Sequence, residues 1–194
     1  MSKIIPRWEW RTFGQNFGDA ESKIKTHPEK FSKTSEEQYI LSQKSDENVK
    51  IRDNLVDIKS LKQVNEDKLE QWFPAMKEGF PTSQANMVTL FRDFFKVNVP
   101  AFTKETYTYA EFLQLAAEND QLTVVEVEKE RHIYEINEAT VEIAETKFNG
   151  TPLRTICVEH IDPANVIATV RELGLAEFPN INYINAMKKV AWSE

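Results

Sequence analysis

The chain has 194 residues, 41% of them hydrophobic and 28% charged, with a formal net charge of −7. That length suffices for one domain with a sizeable core, and the acidic balance argues against sequence-independent binding to nucleic acid or an anionic membrane while leaving room for a local basic pocket. A single cysteine excludes an internal disulfide, the opening MSKIIPRWEW lacks an apolar run long enough for a signal peptide, and no segment approaches a membrane span, so a cytoplasmic protein is expected.

Residues 4–64 read as mostly strand. In RWEWRTF, Arg7, Glu9 and Arg11 share one face and Trp8, Trp10 and Thr12 the other, a period of two that only an extended strand produces. A polar stretch follows, with a short helix in its middle. Then QYILSQ, NVKIRDN and LVDIKSLKQV are separated by the turn-formers SDEN and DN, which predicts an antiparallel meander. Residues 65–120 read as mostly helix. NEDKLEQWFPAMKEG has an amphipathic start and Pro74 to end or kink it. SQANMVTLFRDFFKV repeats Met87, Leu90, Phe91, Phe94 and Phe95 at helical spacing. YTYAEFLQLAAEN opens with Thr108 and Glu111 at capping-box spacing. The aromatic residues here are expected in the core. Residues 122–192 return to strand in LTVVEVEKERHIYEI, ATVEIAETKF and LRTICVEHI. Asp162, Pro163 and Gly174 then supply the cap, first position and stop of a helix, and NINYINAMKKV closes the chain. At least seven strand candidates with a helical insertion and C-terminal helices make an α+β protein dominated by an antiparallel sheet or barrel.

Nearly every strand pairs an apolar face with a charged one. Val49 and Ile51 oppose Lys50 and Arg52; Val56 and Ile58 oppose Asp57 and Lys59. Lys129 and Arg131 share a face. Val141 and Ile143 oppose Glu142; Ile156 and Val158 oppose Cys157 and Glu159. A sheet with one face on helices and one in water would give this alternation. A solvated face, though, is ordinarily rich in Ser, Thr, Gln and Glu, whereas this one is rich in Lys and Arg with carboxylates interspersed. Two readings stand: a wet sheet, and a concave site for a polyanion.

The order of these motifs resembles the CYTH superfamily, the triphosphate tunnel fold, over nearly the whole chain from about Ile4 to Lys189: a charged first strand, K-x-R, D-x-K, a helical insertion, K-x-R, a Glu-bearing strand, and a strand ending in Glu before a helix. The resemblance implies a single domain, 1–194, built as an eight-stranded antiparallel β-barrel with a helical insertion at about 65–120. The charged faces would point into a tunnel where basic side chains bind a triphosphate and acidic ones hold Mg²⁺ or Mn²⁺. Against the family's Glu-x-Glu-x-Lys, Glu9 matches, Arg11 substitutes for lysine, and Arg7 reverses the first charge. Lys50, Arg52, Lys59, Lys129, Arg131 and Lys188 match its basic positions, and with Arg7 and Arg11 they form the expected phosphate-binding set. The acidic residue of the following strand is Glu142 or Glu145, with alternation favouring Glu142. The late Glu-x-Glu aligns with Cys157 and Glu159. Glu9, Glu159 and Glu142 are thus the expected catalytic carboxylates, and Glu9 and Glu159 the metal ligands. Arg7 and Cys157 remove two oxygen ligands, so the metal half is thinned. Cys157 has two readings, a soft metal ligand and, favoured over it, a small space-filling residue. His132 and His160 fall outside this register, and with only five glycines no phosphate-cradling loop is visible.

The implied function is a phosphohydrolase acting on a small triphosphate-bearing molecule: inorganic triphosphate, a nucleoside triphosphate or thiamine triphosphate. A non-catalytic polyphosphate- or nucleotide-binding module is the alternative, and an adenylate cyclase of this superfamily a further one. Oligomeric state is not legible.

Overall fold

The computed structural model describes residues 5–193; the first four residues, where the expected domain and the Ile4 strand reading begin, and Glu194 lie outside the described residues. The chain runs β1 (Trp8–Gly14), α1 (Ala20–Ile24), β2 (Glu29–Ser42), β3 (Asn48–Arg52), β4 (Leu55–Val64), β5 (Glu70–Gly79), β6 (Thr82–Ser83), α2 (Gln84–Thr89), β7 (Thr106–Tyr107), α3 (Tyr109–Ala117), β8 (Leu122–Ile136), β9 (Ala139–Phe148), β10 (Thr151–His160), α4 (Pro163–Glu172) and α5 (Tyr183–Ala191). Eight strands close a barrel in the order β1-β10-β9-β8-β2-β3-β4-β5, and β6 and β7 form a separate two-stranded ribbon.

One expectation fails. The helix read into 65–79 is instead strand β5, which supplies the eighth barrel strand through the pairs Trp8↔Gln71 and Glu9↔Glu70. Its Glu, Ala, Met and Lys residues favour helix locally, but the tertiary ladder overrides that weak preference. Pro74 lies beyond the two residues paired with β1, so its missing N–H breaks no rung of that ladder. The helical insertion therefore begins near Ser83, whose hydroxyl accepts from the Asn86 N–H. After Thr89 the helix widens, with the Phe95 N–H reaching the Leu90 carbonyl at 2.9 Å. The Thr108–Glu111 capping box forms as its spacing predicts.

The chain divides into two compact units. The first takes in the chain up to Ser35, Leu61–Phe73 and Glu128–Asn182. Its core packs Trp10, Val141, Ile143, Ile156 and Val158, from one face of β1, β9 and β10, against Ile24 of α1 and Val166 and Val170 of α4. The α4 start is the predicted one: the Asp162 side chain accepts from the Ala164 N–H beside Pro163, and Gly174 takes a φ of +76° just past the end. The second unit comprises Glu36–Ser60, Pro74–Val127 and the chain from Tyr183 onward. Its core sets Val49, Ile51, Val56 and Ile58 against Met87, Phe91, Phe95 and Phe112. Phe80, Phe91, Phe95, Tyr107 and Phe112 are thus core, as expected, with Phe94, Phe102 and Tyr109 half-buried against them, whereas Phe73, also expected in the core, is exposed on β5. Among the described residues no helix is long and apolar enough to cross a membrane.

Candidate metal and polyanion site

In β1 the tryptophans face the helices, and that alone fixes Glu9 and Arg11 on the opposite side, which in a closed barrel is the interior. Strand register then places charge beside charge. Glu9 stands opposite Glu70 of β5 and Glu159 of β10, and Glu159 stands opposite Thr140 of β9. Two residues along, Arg11 stands opposite Cys157, and Cys157 opposite Glu142. An acidic row and a mixed row therefore lie side by side within the first unit.

Glu142 gathers the cations. Its Oε1 lies 3.1 Å from Arg11 Nη1 and 3.4 Å from Lys129 Nζ, and its Oε2 lies 3.4 Å from Arg131 Nη1. Burial alone would raise this carboxyl; the charges of Lys129, Arg11 and Arg131 outweigh it and hold it down to about 2. Arg11 also binds Glu9 Oε1 through Nε at 2.9 Å and donates to Thr155 Oγ1 at 3.3 Å. Three expected phosphate ligands are thus brought together, each bonded to one expected acid. Glu145, the other candidate of this strand, pairs with Arg154 on the exposed side.

Where the two rows adjoin, ligand atoms of Glu9 and Glu159 from the acidic row and of Cys157 from the mixed row all lie within 4.8 Å of one another. The Cys157 thiol is fully buried, and burial, with the neighbouring carboxylates, pushes it well above its ordinary value. The Glu159 carboxyl is raised by burial and by the charge of Glu9. Arg7 leans on the same row: its Nη1 donates to Thr140 Oγ1 at 3.0 Å and comes to 3.9 Å from Glu159 Oε2.

Sequence reasoning missed Glu70, because its segment read as helix. It is raised chiefly by burial, with the Glu9 charge adding to that. The Trp72 indole donates to Glu70 Oε2 at 3.0 Å, and Asn182 Nδ2 donates to both its oxygens at 3.0 and 3.2 Å. The segment around Asn182 also fastens β1. Asn180 Oδ1 accepts from the Arg11 N–H at 2.9 Å, and the Ile181 N–H donates to the Arg11 carbonyl at 2.6 Å.

The second unit carries the other basic positions. Lys50 is paired in register with Tyr39 and Asp57, and its Nζ is 3.9 Å from Asp57 Oδ2. Burial lowers its pKa against the opposing pull of Glu37 and Asp57. Arg52 Nη1 meets Glu37 Oε1 at 3.1 Å, and the Tyr39 hydroxyl donates to Glu37 Oε2 at 3.1 Å. Glu37 was the second residue missed. It shares a face of β2 with Tyr39, two residues on, but the polar run before Tyr39 hid the strand's true start. Lys59 is exposed. Lys188, expected at the phosphates, is committed elsewhere: its ammonium binds Asp46 Oδ1 at 2.6 Å and the Ser45 carbonyl at 2.8 Å. His132 binds Glu29 at 3.0 Å, and His160 Nδ1 accepts from the Asp162 N–H, so neither joins the charged rows.

No protein-family model and no curated protein sequence matches the chain. Solved structures match it over almost its whole length. HpAC1 from Hippeastrum, described as a candidate adenylyl cyclase with a dominant triphosphatase activity, is 10% identical at a TM-score of 0.53, with 95% of this chain and 96% of that chain covered. A conserved hypothetical protein from Pyrococcus furiosus is 13% identical at 0.51, covering 92% and 98%. A candidate adenylate cyclase from Bacillus halodurans is 10% identical at 0.50, covering 94% and 98%. At such identities the likeness establishes the fold alone, the closed eight-stranded antiparallel barrel of the triphosphate tunnel type.

Proposed function

We propose that this chain is a divergent single-domain member of the CYTH-like superfamily, a cytoplasmic phosphohydrolase acting on a small triphosphate-bearing substrate with the help of one divalent cation. The observation that carries the reading is the pair of adjacent rows in the first unit. Glu70, Glu9 and Glu159 stand in register beside Arg11, Lys129 and Arg131. Cations beside carboxylates on one interior face suit a ligand that is itself a polyanion bearing a metal ion.

The acidic row fits a divalent cation. Carboxylates crowded enough to raise Glu70 and Glu159 are relieved by a positive charge placed among them. Glu9 and Glu159 would hold the ion, Mg²⁺ or Mn²⁺ on the family pattern, with Glu70 beside them. Once bound, such an ion polarises a phosphoryl oxygen and orients water. Arg11, Lys129 and Arg131 bind phosphate oxygens and neutralise their charge, with Glu142 setting the three cations in place. Arg7 adds a further phosphate contact. Lys50, Arg52 and Lys59 take the same role in the second unit. The description of the Hippeastrum neighbour supports a triphosphate as the substrate class.

A second reading has its own observation. Arg7 and Cys157 stand where the family pattern has carboxylates, and the Arg7 guanidinium lies 3.9 Å from Glu159. A tunnel so altered would bind polyphosphate or a nucleotide without turning it over. Inorganic triphosphate and ATP, each with and without Mg²⁺ or Mn²⁺, separate the two when phosphate release and melting temperature are followed together. Metal-dependent release establishes the hydrolase. A raised melting temperature without release establishes the binding module. Neither response overturns both.

A further inference from the structure

We infer that the acidic row selects a thiophilic divalent cation, Zn²⁺ or Co²⁺, over Mg²⁺, with Cys157 Sγ as a direct ligand alongside Glu9 and Glu159. This rests on the reading of the row as a cation site, but not on whether the protein hydrolyses anything.

The argument is the donor set. Strand β10 carries Cys157 and Glu159 two residues apart, hence on one face, and register brings Glu9 opposite Glu159. The three ligand atoms lie within 4.8 Å of one another. Bonds of about 2.3 Å to sulfur and about 2.0–2.2 Å to oxygen put neighbouring donors of a tetrahedral site roughly 3.5 Å apart. The ligand atoms would have to draw together by about an ångström to reach that spacing. Cys157 is 0% exposed, and alternation along β10 turns it toward the carboxylates, away from the apolar core that holds Ile156 and Val158.

A hard ion is held by the carboxylates alone and gains nothing from the sulfur. Mg²⁺ demands near-octahedral oxygen coordination and rejects sulfur, so the three donors offer it only the two carboxylates. A borderline-soft ion uses all three and keeps a fourth position open for water or a phosphate oxygen. As the metal–sulfur bond forms, the thiol proton leaves to solvent and the sulfur binds as thiolate.

Co²⁺ tests this without any phosphate present. A Co²⁺–thiolate bond gives a near-ultraviolet charge-transfer band, and a tetrahedral site gives strong visible d–d bands. Cys157 is the chain's only cysteine, so the band can arise from no other thiol. The wild-type protein should show it, Zn²⁺ should displace it, and Mg²⁺ in at least about tenfold excess should not. Cys157→Ser should lose the band and bind Co²⁺ at least about tenfold more weakly. Glu159→Gln should keep the band with weaker affinity, and it decides the matter should the serine variant fail to fold. Absence of the band in wild type, equal competition by Mg²⁺, or a band whose affinity ignores Glu159→Gln overturns the inference. A band without turnover of any triphosphate leaves it standing and removes the hydrolase instead.

Discussion

Arg11 and Glu142 form a buried ion pair, Nη1 to Oε1 at 3.1 Å, with 7% of each side chain exposed. They come from strands far apart in sequence and are linked through Cys157, which pairs in register with both. A buried charge that loses its partner is expensive, typically about 3–5 kcal/mol. Glu142→Gln keeps the side-chain shape and leaves Arg11, Lys129 and Arg131 clustered without their shared anion. The variant should lose about 3 kcal/mol in denaturant unfolding at neutral pH. Inorganic triphosphate should restore more of its melting temperature than it adds to wild type, because phosphate oxygens replace the missing charge. Unchanged stability would mean that Glu142 does not organise these cations.

The same group sets the acid limb of stability. Glu142 is held to about 2 in the folded state against an ordinary 4.5. Its contribution is therefore present above the ordinary value and drains away as the pH falls from there to about 2. Glu70 and Glu159 run the other way. Their raised values favour the protonated, folded form, so what they contribute at low pH is lost as the pH rises through them. A bound divalent cation reverses that loss. Metal-induced stabilisation should accordingly grow from acid toward neutral pH in wild type and should flatten in a Glu70→Gln, Glu159→Gln double variant. Melting curves across that range with and without metal check both statements.

Trp10→Ala tests which face of β1 is which. Trp10 is 5% exposed in the core that joins Val158 and Ile143 to Val166 and Val170 of α4. Truncation should cost about 3–5 kcal/mol. A variant that unfolds at the wild-type denaturant concentration would reverse the assignment of faces.

Alternation made most of this architecture readable before any coordinates. Trp8 and Trp10 against Glu9 and Arg11, and Ile156 and Val158 against Cys157 and Glu159, assign inside and outside strand by strand. What alternation cannot give is register, since it fixes faces and not neighbours. That Glu142 meets Arg11, Lys129 and Arg131 together follows from how β1, β8, β9 and β10 align. So does the commitment of Arg52 to Glu37. Glu70 was lost for a different reason: a strand written in helix-forming residues around a proline shows its identity only through the partner strand. Nor does alternation show that Lys188 binds Asp46 and the Ser45 carbonyl, contacts that come from a loop.

Lys50 separates binding from stability. Burial lowers its pKa despite Glu37 and Asp57, so keeping it charged at neutral pH costs folding free energy; the loss eases as the pH rises toward 10.5. Lys50→Met fills the same space without the charge. It should raise the melting temperature by roughly 2–4 °C, equivalent to about 1 kcal/mol in a domain of this size, while weakening triphosphate binding by at least about tenfold. Arg52→Ala should weaken binding too but lower stability, because its guanidinium faces the buried Glu37 at 3.1 Å. Opposite stability signs with the same loss of binding identify both as ligand-facing charges. A Lys50→Met protein that binds normally would remove Lys50 from the site.

Arg7 is the position where one substitution should move the protein toward metal chemistry. Its guanidinium is half exposed, 3.0 Å from Thr140 Oγ1 and 3.9 Å from Glu159 Oε2, so it sheds little packing when changed. Beside the acidic row it repels a cation and offers nothing to coordinate one. Arg7→Glu exchanges that repulsion for a carboxylate two residues before Glu9 on the same face. Affinity for Mn²⁺, read by calorimetry without substrate, should rise by about tenfold or more, the worth of roughly 1.4 kcal/mol. If the parent hydrolyses triphosphate, metal-dependent turnover should rise with it; if the parent only binds, the variant should gain metal affinity and still release no phosphate. Mn²⁺ affinity that stays at the parental value would place position 7 outside the metal's reach and return Arg7 to the phosphate-binding set alone.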